Sequence, residues 1–545
     1  MKGTIELHGA KQILAGEDNT IIVESDAYIP GDIVTFENGI TSLNARVPQA
    51  VIGIVEKIRD GSVVLYVPNF GLTSKFRPTL DNDNYAVGER LVIWLNADGT
   101  IMELGRYSAE ACYDANVLAH MYSLNEDRSI TPYEQSENLY TVQEVVDHSD
   151  LDTFTIDPTS SVDFDDAISV DVENNTVYVH IVDIAGQPIC EASEKRLRER
   201  CLTLYLSNER TEHLLEEEEA SDKLSLVVGK ERKVITVKVL LDNQGMVLKY
   251  DIYRSIIVVK RRWNYDEVSL VDPMPEAFRF LQGLTQKRCS EVTYNLNLPS
   301  IRFNCTPDGL ADSIKTENTN DPSHSMVATA MILANLTVSI HIRKNGKKLP
   351  NRFHDTLKGF KAPTQIKTGN EYVDSFILVK RYSRAYYSID ERGHFGLGIT
   401  DYVHFTSPMR RYADVLVHRI LSGNIPNNLE DEVKWLNHRC SVVRSAQDIY
   451  INWKVIRWLD ANEKRQTVWV TGISKSGVMW FMPSMSLNGF MHVSTLEPKQ
   501  YWKYDEINAT LVGQSNNNTI SVGKKLDTTV VAIDFIKGVV TLRNN

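Results

Sequence analysis

Thr155-Ile-Asp-Pro-Thr-Ser-Ser-Val-Asp-Phe-Asp-Asp-Ala-Ile-Ser169 sets four carboxylates, Asp157, Asp163, Asp165 and Asp166, within about ten residues. A proline and small or apolar residues lie between them, with no basic partner. Crowded carboxylates repel one another and cost free energy unless something neutralises them. A hard divalent cation held by oxygen ligands, Mg²⁺ or Mn²⁺, is the natural neutraliser. The main chemistry that needs such a cluster is phosphoryl transfer. Asp-rich runs also occur as solvated loops and as Ca²⁺ loops. A Ca²⁺ loop favours a Gly at its sharp turn and a Glu at its far end, and this run has neither. Phe154 and Ile156 before it, and Ala167 and Ile168 after it, predict a loop or strand end embedded in a core. On spacing alone, a catalytic metal site and a solvated loop stand level.

A second run tilts the balance. His394-Phe-Gly-Leu-Gly-Ile-Thr-Asp-Tyr-Val-His-Phe-Thr-Ser-Pro-Met-Arg-Arg-Tyr412, continued to Leu421, predicts a glycine-bearing strand, a short connection and a helix. Ser407 suits the N-cap and Pro408 the first helical position. Arg410 and Arg411 then fall in the first turn, where cations oppose the helix dipole. An anion at the helix N-terminus, held by free N–H groups and the arginines, resolves that conflict. The alternative is that Arg411 pairs with Asp414 on the helix surface.

Together these runs resemble the catalytic domain of the ribonuclease II/ribonuclease R (RNB) family of 3′→5′ exoribonucleases, which includes Dis3-like enzymes. Further segments match in order: Val177-Tyr-Val-His-Ile-Val-Asp-Ile184, Arg200-Cys-Leu-Thr-Leu-Tyr-Leu206, Lys223-Leu-Ser-Leu226, Asn264-Tyr-Asp-Glu-Val268 and residues 326–335. The resemblance runs along the whole chain and is strongest from 150 to 422.

The resemblance implies a Mg²⁺-dependent, processive hydrolase, with Mn²⁺ as a substitute, that degrades single-stranded RNA to nucleoside 5′-monophosphates. Asp157, Asp163, Asp165 and Asp166 would hold the metal, with Asp165 the least replaceable. Arg410 would bind the scissile phosphate, and Ser407 and Arg411 would lie along the RNA. Tyr265 would stack near the terminal base, with Tyr205 and Phe303 clamping bases further back. Two departures stand out. Ala328-Thr329 occupies a helix position where many relatives carry acidic residues, and Val162 replaces a residue that is often charged or polar. The first suggests altered handling of the terminal nucleotide or, at the extreme, an RNA-binding or assembly protein with an impaired site. A small-molecule phosphatase built on the aspartates would not explain the β-modules described next.

The predicted architecture is multidomain α+β: a mixed α/β catalytic domain flanked by all-β modules. Alternating apolar and polar residues over 1–48 and again over 49–106 read as two small β-modules. In the family these are cold-shock-like OB barrels that bind single strands. Residues 107–150 read as a linker, and 151–465 as the catalytic domain with C-terminal helices whose core positions include Val433, Leu436, Val443 and Trp453. Short strands over 466–545 read as a C-terminal OB-type RNA-binding barrel. Trp480 and Phe481 there are candidates for stacking or core, with core favoured for at least one, since adjacent strand residues face opposite sides. The chain matches a compact, exonuclease-only member of the family.

A net charge of −12 over 545 residues excludes a general polyanion-coating protein. It allows a channel with local positive charge, for which Lys260-Arg-Arg262, Arg343-Lys344 with Lys347-Lys348, and Lys358 with Lys361 are the basic clusters. Six scattered cysteines fit reduced thiols of a cytoplasmic or nuclear protein. No stretch reads as a membrane span or secretory signal, so no membrane partner is expected. The expected working form is a monomer on single-stranded RNA, with protein partners unspecified.

Overall fold

The computed structural model describes residues 2–8, 11–16, 20–23, 28–37, 40–72, 74–81, 84–124, 132–159, 161–289, 296–317, 321–355, 367–380, 382, 384–390, 393–462, 464–506, 508–515 and 517–545. Two antiparallel five-stranded sheets come first. The earlier spans Lys2–His8 to Ile40–Ala45 and the later Gln49–Arg59 to Ile101–Tyr107. In the later module Val51, Val55, Val63, Leu65, Leu91, Ile93 and Leu95 alternate inward to form a core. The opposite face is not left to water. Ile52, Ile54, Tyr66 and Val92 pack on helix α1 (Asp114–Ser123) and on the last helix of the chain. The stretch 107–150 is therefore more than a connection, since it holds α1 and a strand of the central sheet.

That sheet has six strands: β1 (Val142–Asp147), β2 (Thr153–Asp157), β3 (Asp166–Asp171), β4 (Thr176–Val182), β5 (Glu231–Leu241) and β6 (Val247–Asn264). The order is β1-β6-β2-β3-β4-β5, and β5 also pairs with β6. The first part of β6 pairs antiparallel with β5, and its end runs parallel to β2. The sheet thus closes on itself through one long strand. Helix α2 (Glu191–Arg200) lies between β4 and β5, and α3 (Tyr265–Leu270), α4 (Glu276–Cys289), α5 (Pro322–Lys344), α6 (Glu371–Val379), α7 (Tyr412–Leu421) and α8 (Leu429–Ala461) follow the sheet. Val177, Val179, Ile181, Val234, Val237, Val338 and Ile342 join the large core between sheet and helices.

Contrary to expectation, one helix among the described residues is long and apolar enough to cross a membrane. It is α5, and 67% of its most apolar window is buried inside the molecule, as in a core helix. Helix α8 has 33 residues, about 50 Å of rod. Leu436 and Cys440 sit in the central core, Ala446 and Trp453 against the second β-module, and Val455, Ile456 and Leu459 in the C-terminal core. One rod thereby fixes three modules. The C-terminal module combines a five-stranded and a three-stranded sheet. Trp480 lies in its core. Phe481 is equally buried on the other side, stacked on Phe376 of α6 with centroids 4.0 Å apart. Both rings are covered, so neither is available for stacking. Met479 and Phe490, a cross-strand pair, are among the exposed apolar side chains of this module, with Tyr501, Val531 and Phe535.

Candidate active site

Strand ends build the site. Asp157 closes β2, whose register pairs Asp157 with Asn264 at the end of parallel β6. Asp166 opens β3, the antiparallel neighbour of β2 on its other side. Asp157, Asp166 and Tyr265, the residue after Asn264, therefore emerge from one edge of the sheet. The loop between β2 and β3 is shaped by Arg262. Its Nη2 donates to the carbonyls of Pro158, Thr159 and Ser161 at 3.0, 3.2 and 3.2 Å. Its guanidinium lies 4.6 Å over the Phe164 ring. Lys260 donates to the Ser149 carbonyl, and Arg261 covers Trp263. Within this cluster Arg262 is thus engaged by the protein itself, whereas Lys260 and Arg261 remain exposed. Arg343 likewise pairs with Asp401, and Lys358 with Lys361 lies outside the described residues.

The second run meets this edge as a turn. Ser407 does not cap a helix: its N–H donates to Asp414 Oδ1 at 2.8 Å, and the chain turns through Pro408–Arg410 before α7 starts at Tyr412. The glycine-bearing strand is absent too, since Phe395–Leu397 forms a 3₁₀ turn. Arg411 takes the alternative role. Its Nε and Nη2 donate to Asp414 Oδ2 and Oδ1 at 2.9 and 2.8 Å, a bidentate pair in the interior. Burial alone would lower the Arg411 pKa, but Asp414 holds it above its ordinary value. Arg411 is therefore not free to bind RNA. Arg410 is different. Half exposed, its Nε stands 3.6 Å from Asp165 Oδ2, and its Nη2 donates to Ser407 Oγ at 3.1 Å. Asp165 is buried and accepts from the Met409 N–H at 2.8 Å.

Three of the four carboxylates share this pocket. Burial pushes the Asp157 carboxyl up to about 6, and its Oδ2 is buried without a hydrogen bond. Burial pushes Asp165 and Asp166 up to about 7, and the neighbouring carboxylates, Asp166 beside Asp165 and Asp157 beside Asp166, add to both shifts. Asp163 instead turns toward His213, whose Nδ1 is 3.4 Å from its Oδ2. Among the described residues, no three His, Cys, Asp or Glu side chains stand in ready ligating geometry. An orphaned oxygen and three carboxyls held near neutrality fit a divalent cation, which Asp157, Asp165 and Asp166 would hold.

The aromatic residues divide. Tyr205, on a short strand Leu204–Leu206, leaves 46% of its surface open. Its hydroxyl is within electrostatic reach of Arg410, Asp165 and Asp163. The strand is brought there by the arginine turn: Thr203 N–H donates to the Arg410 carbonyl and Tyr412 N–H to the Cys201 carbonyl. Tyr265 lies within reach of Asp166, Asp157 and Arg410. Phe303 packs on Tyr450, 5.9 Å between centroids, in the seam under the second β-module rather than beside the carboxylates.

Sequence reasoning offered Asp414 as the partner of Arg411 but missed Arg262 as the loop clamp and His324, which stacks on Tyr265. Asp321-Pro322 was a legible helix start, but nothing local announced that stack. The departures at 328 and 329 also separate. Ala328 is exposed, whereas Thr329 is buried with its hydroxyl 3.0 Å from that of Thr285.

Fold and site define a multidomain α+β protein whose central domain carries an acidic pocket faced by one half-free arginine. A model of the RNB domain matches residues 145–426, and the chain belongs to the RNB family. Ribonuclease R of Buchnera aphidicola subsp. Schizaphis graminum is 25% identical over 535 residues, covering 84% of this chain and 73% of that protein. The structure of Mycoplasma genitalium RNase R in complex with ribose methylated single-stranded RNA superposes with a TM-score of 0.76 at 17% identity, over all of both chains. Yeast Ssd1, a pseudonuclease, superposes with a TM-score of 0.71 at 15% identity, over 94% of this chain and 81% of that one.

Proposed function

We propose that this protein is a hydrolytic 3′→5′ exoribonuclease of the cytoplasm that shortens single-stranded RNA processively, releases nucleoside 5′-monophosphates and requires Mg²⁺ or Mn²⁺. The fold hosts a pseudonuclease as well as nucleases, so the site must decide. What carries the proposal is the convergence of buried Asp157, Asp165 and Asp166 with half-exposed Arg410. A decayed site would have lost carboxylates, and this one keeps them.

Bound divalent metal would activate water and stabilise the leaving 3′-oxygen. The carboxylates' part is to be ionised, because metal binding requires deprotonated ligands. Asp165, fixed by the Met409 N–H, orients the pocket. Arg410 can leave Asp165 for a phosphate oxygen without unfolding anything, since it is half in solvent and its backbone is held by the strand at Thr203. Exposed Tyr205 offers a sequence-tolerant stacking face, and Phe490 of the C-terminal module offers another.

The test uses 5′-labelled single-stranded RNA with Mg²⁺ or EDTA, wild type beside Asp165→Asn. Shortening from the 3′ end with mononucleotide release, lost in EDTA and in the variant, supports the proposal. Intact RNA with binding retained would reassign the protein as an RNA-binding or assembly factor.

A further inference from the structure

We propose that His324 is a positioning residue of this site: oriented by Asp321, it stacks on Tyr265 and holds that ring at the sheet edge beside Asp157 and Asp166. The inference rests on the exoribonuclease reading above.

Tyr265 starts α3, and its backbone is fixed by a reciprocal cap: Asn264 Oδ1 accepts from the Glu267 N–H, and Glu267 Oε2 accepts from the Asn264 N–H, both at 2.9 Å. The side chain has no such anchor in its own helix. Helix α3 is six residues long and buries Val268 alone. Besides its packing on the central core, the ring is held by the imidazole of His324 at 3.6 Å between centroids and 9° between planes. Such a face-to-face contact fixes the plane of the ring as well as its position.

The imidazole is in turn fixed. Asp321 caps α5 with a single oxygen, Oδ1, which accepts from the N–H groups of Ser323 and His324 at 2.9 and 3.0 Å. A cap needs no more than that. The other oxygen, Oδ2, accepts from His324 Nδ1 at 2.7 Å. A carboxylate can only accept, so Nδ1 carries the hydrogen and the ring cannot flip without losing the bond. Asp321, His324 and Tyr265 thus form a relay of orientation from the start of α5 to the pocket. Ala328, four residues on and on the same helix face, is exposed and offers no side chain to support Tyr265. Within this face the support falls to His324.

Kinetics on 5′-labelled RNA test the proposal in the full chain with Mg²⁺. His324→Ala should lower kcat about tenfold while KM stays within about twofold, because alignment rather than affinity is lost. His324→Phe, which keeps the stacking face, should recover most of the rate. In a Tyr265→Ala background, His324→Ala should cost less than about twofold, since the ring it aligns is gone. A purely structural role would not produce that non-additivity. An unchanged kcat in His324→Ala, a raised KM at constant kcat, additive losses in the double variant, or a His324→Phe no better than Ala would each overturn the proposal. Should His324→Ala melt well below wild type, the His324→Phe variant alone and in the Tyr265→Ala background decides by the same criteria. Wild type inert on RNA would instead overturn the exoribonuclease reading, a distinguishable result.

Discussion

Two of the buried charge clusters among the described residues end differently. Under the second β-module, Asp114 of α1 is fully buried and pairs with Arg90, Arg457 and Lys454. Lys454, also fully buried, reaches Glu209 at 2.8 Å and donates to the carbonyls of Ala111 and Gly309. Cations and acceptors there satisfy one another. At the sheet edge, Asp157, Asp165 and Asp166 have three guanidiniums within reach, of which Arg411 is taken by Asp414. Arg262 is occupied with loop carbonyls and Arg410 stands half in solvent. Buried charges that the chain pairs itself serve architecture, whereas buried carboxylates left short of cations await one from outside.

The sharpest break in the comparison is Asp165→Asn. The amide still accepts from the Met409 N–H, but a ligand charge is gone. RNA shortening should fall by about 10³-fold or more, roughly 4 kcal/mol of transition-state stabilisation. Melting temperature in EDTA at pH 8 should not fall, and should rise as repulsion is relieved. Asp114→Asn should do the reverse. It leaves Arg90, Arg457 and Lys454 with Glu209 as their remaining carboxylate among these partners, and stability should drop by about 3–5 kcal/mol in urea unfolding. A loss below about 1 kcal/mol would dissolve the distinction between the clusters.

Acid and base sharpen it next. The three site carboxyls have folded-state values of about 6, 7 and 7, above the ordinary value of about 4. Folded protein therefore holds protons that unfolded chain has released. The stabilisation is complete below about pH 4 and is lost as pH rises through about 6–7. In EDTA, melting temperature should decline from about pH 5 to 8, and Mg²⁺ should flatten the slope. Activity should rise over the same interval as the ligands ionise. A melting temperature that climbs with pH in EDTA would mean that the carboxylates are already paired.

What was legible in sequence follows from range. The aspartates and Arg410 sit within short runs, so sequence could single them out, but spacing alone left a metal site level with a solvated loop and their roles came from the family resemblance. Ser407-Pro408 carried a helix-start signature, yet Asp414 draws the Ser407 N–H and pulls the helix start to Tyr412. Arg411 thereby became structural. For Trp480 and Phe481 the alternation rule placed the rings on opposite faces correctly. It could not foresee that α6 covers the outer face. The Tyr265–His324 stack joins distant segments, beyond any local pattern.

The contrast between satisfied and open reappears within one turn of α5, where the smallest effects are expected. Thr329 is buried, and its hydroxyl engages the Ser325 carbonyl at 2.8 Å and Thr285 at 3.0 Å. Thr329→Val should cost about 1 kcal/mol, seen as a lowered melting temperature with unchanged RNA kinetics. Ala328→Glu should leave stability within about 0.5 kcal/mol, because the position is exposed. Its effect should fall on the substrate. A carboxylate one turn from His324 adds an acceptor near the ring that His324 aligns, so a strand ending in a ribonucleotide should gain over the same strand ending in a 2′-deoxynucleotide. The rate ratio of those two strands, compared between wild type and Ala328→Glu, measures it. An unchanged ratio would place this helix face outside the reach of the terminal sugar and leave Tyr265 and its stack as the contribution of α3 and α5 to the pocket.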